Sequence, residues 1–136
     1  MKYLNSCITF VLVMSLIACN GQQSQQRDSS TSSTEVNAKM SSKPISIVDE
    51  IDLEQAILID VRTPEEFNAG HIQKALNINF FDENFIEQIQ ELPTDKPLYI
   101  YCRSGKRSLN ASKALSQLGL EVVNLEGGFN AYSAQH

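Results

Sequence analysis

An α/β fold with a small, open, mostly parallel sheet of four to five strands and helices on both faces is predicted by two features of the sequence. Short continuous apolar runs, each bounded by charge or turn residues, alternate with segments of helical spacing. The runs also lack the in–out alternation of a sheet wetted on one side, so they read as strands covered on both faces. In order, residues 45–47 follow Pro44 as a first strand, and residues 56–61 form a second, ended by charge. Thr63, Pro64, Glu65 and Glu66 then start a helix, with Thr as cap, Pro in the first turn and acids beside it; Gly70 ends it. Residues 75–78 are a further strand. Phe81, Phe85, Ile89 and Leu92 fall at helical spacing. After a turn between Pro93 and Pro97, residues 98–101 are a strand that runs directly into Cys102. Residues 108–118 read as a helix, apolar at Leu109, Ala111, Ala114, Leu115 and Leu118 and stopped at Gly119. Val122, Val123 and Leu125 make the last strand, and Gly127-Gly128 turns into a short helix around Phe129 and Tyr132.

The domain occupies only residues 45–136. Before it, a positive start and an apolar run at 4–16 suit a secretory signal, since a membrane-spanning helix needs about 20 apolar residues. The run closes on Leu16-Ile17-Ala18-Cys19, which resembles the lipobox of bacterial lipoproteins. That resemblance implies a signal peptide at 1–18 and lipidation of Cys19. It also implies a membrane anchor in the cell envelope, outside the cytoplasm, with Asn20 favouring the outer membrane. Residues 19–44, rich in Gln, Ser and Thr, cannot bury enough apolar surface to offset ordering entropy and read as a flexible tether. A coil of that length spans about 25–30 Å on average.

Charge and composition exclude several functions. A net charge of −5 argues against nucleic acid as a partner. Two His cannot build a multi-histidine metal site, and Cys102 is the domain's only thiol, so neither a zinc site nor an internal disulfide is available and no metal is expected. What remains is Cys102 itself, at the carboxyl end of a strand and just before a helix, where open α/β sheets place ligands. The unpaired N–H groups of Arg103, Ser104, Gly105, Lys106, Arg107 and Ser108 are free to face inward there. Helix dipole and neighbouring cations lower a thiol's pKa from about 8.5. The domain carries seven Lys or Arg against fourteen Asp or Glu, yet four of the seven fall between Arg103 and Lys113. Such a basic pocket on an acidic domain favours a small anionic substrate.

Three segments carry a family resemblance. Residues 58–67 (LIDVRTPEEF) with Gly70-His71-Ile72 resemble the first signature of the rhodanese domain, residues 99–108 (YIYCRSGKRS) its active-site strand and loop, and residues 125–132 (LEGGFNAY) its closing turn and helix. The resemblance implies a rhodanese-like fold and a sulfurtransferase. Cys102 would carry sulfur as a persulfide between a small anionic sulfur donor, such as thiosulfate, and a thiol or protein acceptor, without cofactor. Arg103, Lys106 and Arg107 would attract the donor, and the loop N–H groups would hold the outer sulfur. Where the family reads Pro-Gly-Ala after Gly-His-Ile, this chain has Gln73-Lys74-Ala75, which implies a different turn.

Supporting roles fall to Asp60, satisfying backbone groups near the loop, to Arg62, paired with Glu66, and to His71 as a structural hydrogen-bonder. Phe80, Phe81, Phe85 and Phe129 read as core or pocket wall. A cysteine phosphatase of related fold needs Cys, five residues, then Arg; here four residues separate Cys102 from Arg107, a ring better sized for sulfur. A non-enzymatic persulfide carrier remains compatible with the same loop.

Overall fold

The computed structural model describes residues 39–93 and 95–136. The expected signal peptide, Cys19 and the expected tether as far as residue 38 lie outside the described residues.

Five strands form one sheet in which every neighbouring pair is parallel, in the order β1-β5-β4-β2-β3. They are β1 Met40–Pro44, β2 Ile57–Asp60, β3 Leu76–Asn77, β4 Leu98–Tyr101 and β5 Val122–Glu126. Among the described residues, α1 Pro64–Asn68, α2 Phe85–Gln90 and α3 Lys106–Ser116 connect β2 to β3, β3 to β4 and β4 to β5, and α4 Gly128–Ser133 follows β5. The two-residue period of a strand sends alternate side chains to opposite faces. Ile59, Leu98, Ile100 and Val122 therefore enter one core with Phe85 and Ile89 of α2 and Ala111 and Leu115 of α3. Leu58, Tyr101 and Leu125 enter the other, with Ile45, Val48 and Ile72 and, at its edge, Phe67 and Phe129. Fully burying one such aliphatic side chain stabilises the fold by about 1.5–3 kcal/mol.

The first strand differs from expectation. Residues 45–47 are not a strand but open a 3-10 helix, Ile45–Glu50, and the strand precedes them at Met40–Pro44, inside the stretch read as tether. Four of the five residues of β1 are exposed, so its pairing with β5 rests on backbone groups and carries no apolar signature. Ile45 and Val48 are buried together because a 3-10 helix brings i and i+3 to one side.

Two helices are also displaced. In α2, helical geometry starts at Phe85 rather than residue 81, because Asn79 accepts from the Phe81 N–H (3.2 Å) and donates to Asp82 (2.6 Å), holding a turn against the helix. Phe81 is left 65% exposed, not in the core. Helix α3 starts two residues early, and its buried stripe is Ser108, Ala111, Ser112, Leu115 and Ser116, while Leu118 is exposed. Small residues on that stripe let α3 lie close against β4 and β5.

The connection after α1 keeps a turn that its residues do not favour. Ala75 N–H closes on Ile72 O at 3.1 Å, with Lys74 third in the turn at φ +64°. A left-handed third residue is what a type II turn requires, and Pro-Gly is its preferred central pair. The expected change of turn is therefore not what Gln73-Lys74 produces: the lysine accepts a glycine-like backbone, at a strain of about 1–2 kcal/mol.

Candidate active site

Strand β4 delivers Cys102 to the carboxyl end of the sheet, where the thiol is buried at 1% exposure. The chain then bends through Arg103, Ser104 and Gly105 (φ +97°) into α3. Gly105 N–H donates to Cys102 Sγ at 3.1 Å. Ser108 Oγ lies 3.6 Å from the sulfur and 3.0 Å from Gly105 O, so its single proton serves one of them at a time. Burial pushes the thiol's pKa up. Hydrogen bonds from Ser108 (backbone, then hydroxyl), Ser104 and Gly105 to the sulfur outweigh that, and the net shift is downward.

The loop is held from outside by α4. Phe129 N–H donates to Cys102 O at 2.8 Å and Asn130 N–H to Arg103 O at 3.0 Å. Gly128 (φ +57°) has no room for a side chain: a Cβ there would overlap Cys102 O and come within 2.8 Å of the Arg103 carbonyl carbon. Sequence reasoning took Gly127-Gly128 only as a turn. The double glycine was the available signal of close backbone approach, but not of what approaches.

The loop cations separate into two kinds. Arg107 makes a two-pronged pair with Glu66 (2.6 and 2.7 Å) and lies 5.7 Å from the Phe81 ring. Arg103 and Lys106 are exposed and take part in none of the salt bridges among the described residues. The expected Arg62–Glu66 pair is not formed. Asp60 and Arg62, two apart and so on one face of the strand's end, bond each other instead: Nε to Oδ1 and Oδ2 (3.0 and 2.9 Å), Nη2 to Oδ2 (2.6 Å). Arg62 Nη2 also donates to Gly70 O at 2.7 Å, and its guanidinium lies 4.2 Å from the Phe129 ring. Asp60 Oδ1 accepts the Arg62 N–H at 2.9 Å. Beside them, burial drives the Tyr101 phenol strongly upward, and its oxygen accepts the Ile72 N–H at 3.1 Å.

Glu66 has a double duty. Its carboxylate accepts the Thr63 N–H at 3.2 Å, closing a capping box on α1, while the bonds from Arg107 hold its pKa down at about 2. His71 is exposed, stacked on Phe67 at 3.8 Å with Nδ1 3.1 Å from Phe67 O. Among the described residues no cluster of three or more His, Cys, Asp or Glu is placed to hold a metal ion. A cavity of about 790 Å³ lies elsewhere, lined by Ile57 and Leu58 of β2, Leu76 and Lys96.

A family model of the rhodanese-like domain matches residues 32–135. The chain belongs to the rhodanese family. The Bacillus subtilis protein YqhL is 42% identical over 82 residues, which take in 60% of this chain and 64% of that protein, just under two thirds of its length. The thiosulfate sulfurtransferase GlpE of Shewanella oneidensis is 38% identical over 76 residues, 55% of this chain and 73% of that one. Among solved structures, a rhodanese-related protein from Thermoplasma volcanium superposes with a TM-score of 0.62 at 32% identity, covering 69% of this chain and 91% of the other. Five parallel strands with helices on both faces are thus the rhodanese fold, and Cys102 occupies the end of its central strand β4.

Proposed function

We propose that this rhodanese is a sulfurtransferase that moves sulfane sulfur from a small anionic donor of the thiosulfate type to a thiophilic acceptor through a persulfide on Cys102. The observation that carries the reading is the sulfur's setting: Cys102 Sγ accepts the Gly105 N–H of its own loop at 3.1 Å, and the loop's Arg103 and Lys106 are exposed and, among the described residues, in no salt bridge. Membership of the family and similarity to a protein named thiosulfate sulfurtransferase support the same reaction class. The Cys102 thiolate attacks the outer sulfur of the donor. The donor's S–S bond breaks, and sulfite leaves with the electron pair. An acceptor then attacks the outer sulfur of the persulfide, forming thiocyanate when the acceptor is cyanide, and the thiolate returns. Atoms and electrons balance with no added oxidant, and covalent catalysis divides one transfer into two easier ones.

In this reading the N–H groups of Ser104, Gly105 and Ser108 stabilise negative charge at sulfur, while Arg103 and Lys106 draw in the donor. Arg107 is occupied by Glu66 and acts through loop geometry. Thiosulfate treatment is expected to add one sulfur to the peptide bearing Cys102, and cyanide to remove it as thiocyanate; Cys102→Ser abolishes both. Persulfide formation without turnover to any acceptor identifies a carrier rather than an enzyme, and absence of both overturns the reading. We also propose, from the Cys19 motif, that the domain is lipid-anchored at the envelope. Lipid labelling that persists in Cys19→Ser rejects that anchor.

A further inference from the structure

The loop around Cys102 presents N–H groups to the sulfur only if its carbonyl groups point elsewhere. A trans peptide is planar, so its C=O and N–H point in opposite directions. The carbonyl of Arg103 and the N–H of Ser104 belong to one such unit. Asn130 N–H holds that carbonyl at 3.0 Å, so the Ser104 N–H points away from α4; the next N–H, that of Gly105, meets Sγ at 3.1 Å, and Ser104 is among the groups that lower the thiol's pKa. Phe129 N–H holds the preceding carbonyl, that of Cys102, at 2.8 Å. Both bonds need α4 backbone to approach the loop closely, and any side chain at residue 128 would occupy that space.

We propose that Gly128 is a positioning residue for Cys102: by admitting the Phe129 and Asn130 N–H groups to the Cys102 and Arg103 carbonyls, it turns the loop's peptide units so that their N–H groups face the sulfur. The inference rests on Cys102 being the working nucleophile, and it assigns the orienting of the sulfur's cradle to the chain's last helix rather than to the loop alone. Neither N–H has a partner within α4, because the first four N–H groups of a helix have none. They are therefore free for this use. The charged groups around the sulfur (Arg103, Lys106, Arg107 with Glu66, and Asp60 with Arg62) stay chemically unchanged when residue 128 is altered.

The test is the pH dependence of alkylation by iodoacetamide in the full chain, read by mass on the peptide containing Cys102. Gly128→Ala is expected to raise the apparent pKa of Cys102 by about one unit, so that a given alkylation rate is reached at a pH about one unit higher. Gly119→Ala is the control for backbone strain, since Gly119 has a similar positive φ (+84°) and nothing within 4 Å of the position its Cβ would take. It should leave the Cys102 profile unmoved. If Gly128→Ala does not fold, the wild-type chain decides by NMR: the Phe129 and Asn130 amide resonances, bonded to the Cys102 and Arg103 carbonyls, should shift with the same pH midpoint as the Cys102 thiol. An unshifted alkylation profile in Gly128→Ala, an equal shift in Gly119→Ala, or amide resonances that ignore the thiol's titration overturns the proposal. Alkylation does not depend on sulfur transfer, so a wild-type chain without transferase activity but with this pattern refutes the proposed function and leaves the positioning role standing.

Discussion

Asp60 and Arg62, two residues apart at the end of β2, meet with 0% and 4% of their side chains exposed, whereas Glu66 and Arg107, 41 residues apart, meet with 26% and 20% exposed. Both pairs join an arginine to a carboxylate through two-pronged bonds within reach of the Cys102 loop. Their surroundings give them different work. A buried pair is tolerated only when its remaining donors and acceptors are satisfied. Here Asp60 also accepts the Arg62 N–H, Arg62 also donates to Gly70 O, and Asn77 Nδ2 donates to the carbonyls of both residues, at 3.0 Å for Asp60 and 2.9 Å for Arg62. The inner pair is thus a frame that fixes the Gly70–Ile72 segment and supports Phe129 at the base of α4. The outer pair is a strap from α1 to α3, and water shares its charge.

The widest separation between the two is expected on truncation. Arg62→Ala leaves Asp60 charged and buried, which destabilises the fold by about 3–5 kcal/mol. Replacing both members with apolar residues, Asp60→Leu with Arg62→Met, should be milder than Arg62→Ala alone. Urea unfolding at pH 7 measures this. If Arg62→Ala loses less than about 1 kcal/mol, the inner pair is no more a frame than the outer one.

Glu66→Gln is expected to destabilise by about 1–2 kcal/mol at pH 7, discounted for the water that reaches the pair. The loss should depend on pH in a set direction. Glu66 titrates near 4.5 when unfolded and at about 2 when folded, so the folded state binds fewer protons between those values. Its contribution is complete above about pH 5, falls as pH drops from 4.5 towards 2, and is gone below that. Wild type and Glu66→Gln should therefore converge in acid. Curves that stay parallel down to pH 2 would assign the loss to the capping box rather than to the charge on Arg107.

The inner and outer pairs also mark where sequence reading succeeds and where it stops. The buried strands, the α1 cap at Thr63 and the position of Cys102 each follow from local pattern: apolar runs, cap chemistry, and a thiol at a strand end beside a glycine. Asp60–Arg62 was legible in principle from the strand period of two, but the helical spacing of Arg62 and Glu66 offered a competing partner. Glu66–Arg107 was not legible, because a contact between residues so far apart exists only once α1 and α3 share one end of the sheet. Strand β1 was hidden because an edge strand held by backbone bonds can be polar; its Ser42 accepts from Asn124 Nδ2 at 3.3 Å. The grip of α4 on the loop is made wholly of main-chain groups and leaves no trace in side-chain pattern beyond the two glycines.

The smallest expected effect tests how firmly the inner pair holds its segment. Lys74 keeps a left-handed backbone between two anchors: Ile72, whose N–H is bound by Tyr101, and β3, paired to β2. Strain of this kind persists only where the surroundings over-determine the backbone. Lys74→Gly should relieve it and, after the extra entropy glycine brings to the unfolded chain, stabilise the protein by about 0.5–1 kcal/mol. In an Arg62→Ala background the Gly70 carbonyl is released, the turn can relax, and the same substitution should gain less. The coupling is the difference between the two gains, read from urea midpoints of the four proteins in the cycle. An equal gain in both backgrounds would mean that the turn is strained by its own closure through Ala75 and Ile72, and that the frame built by Asp60 and Arg62 ends at Gly70.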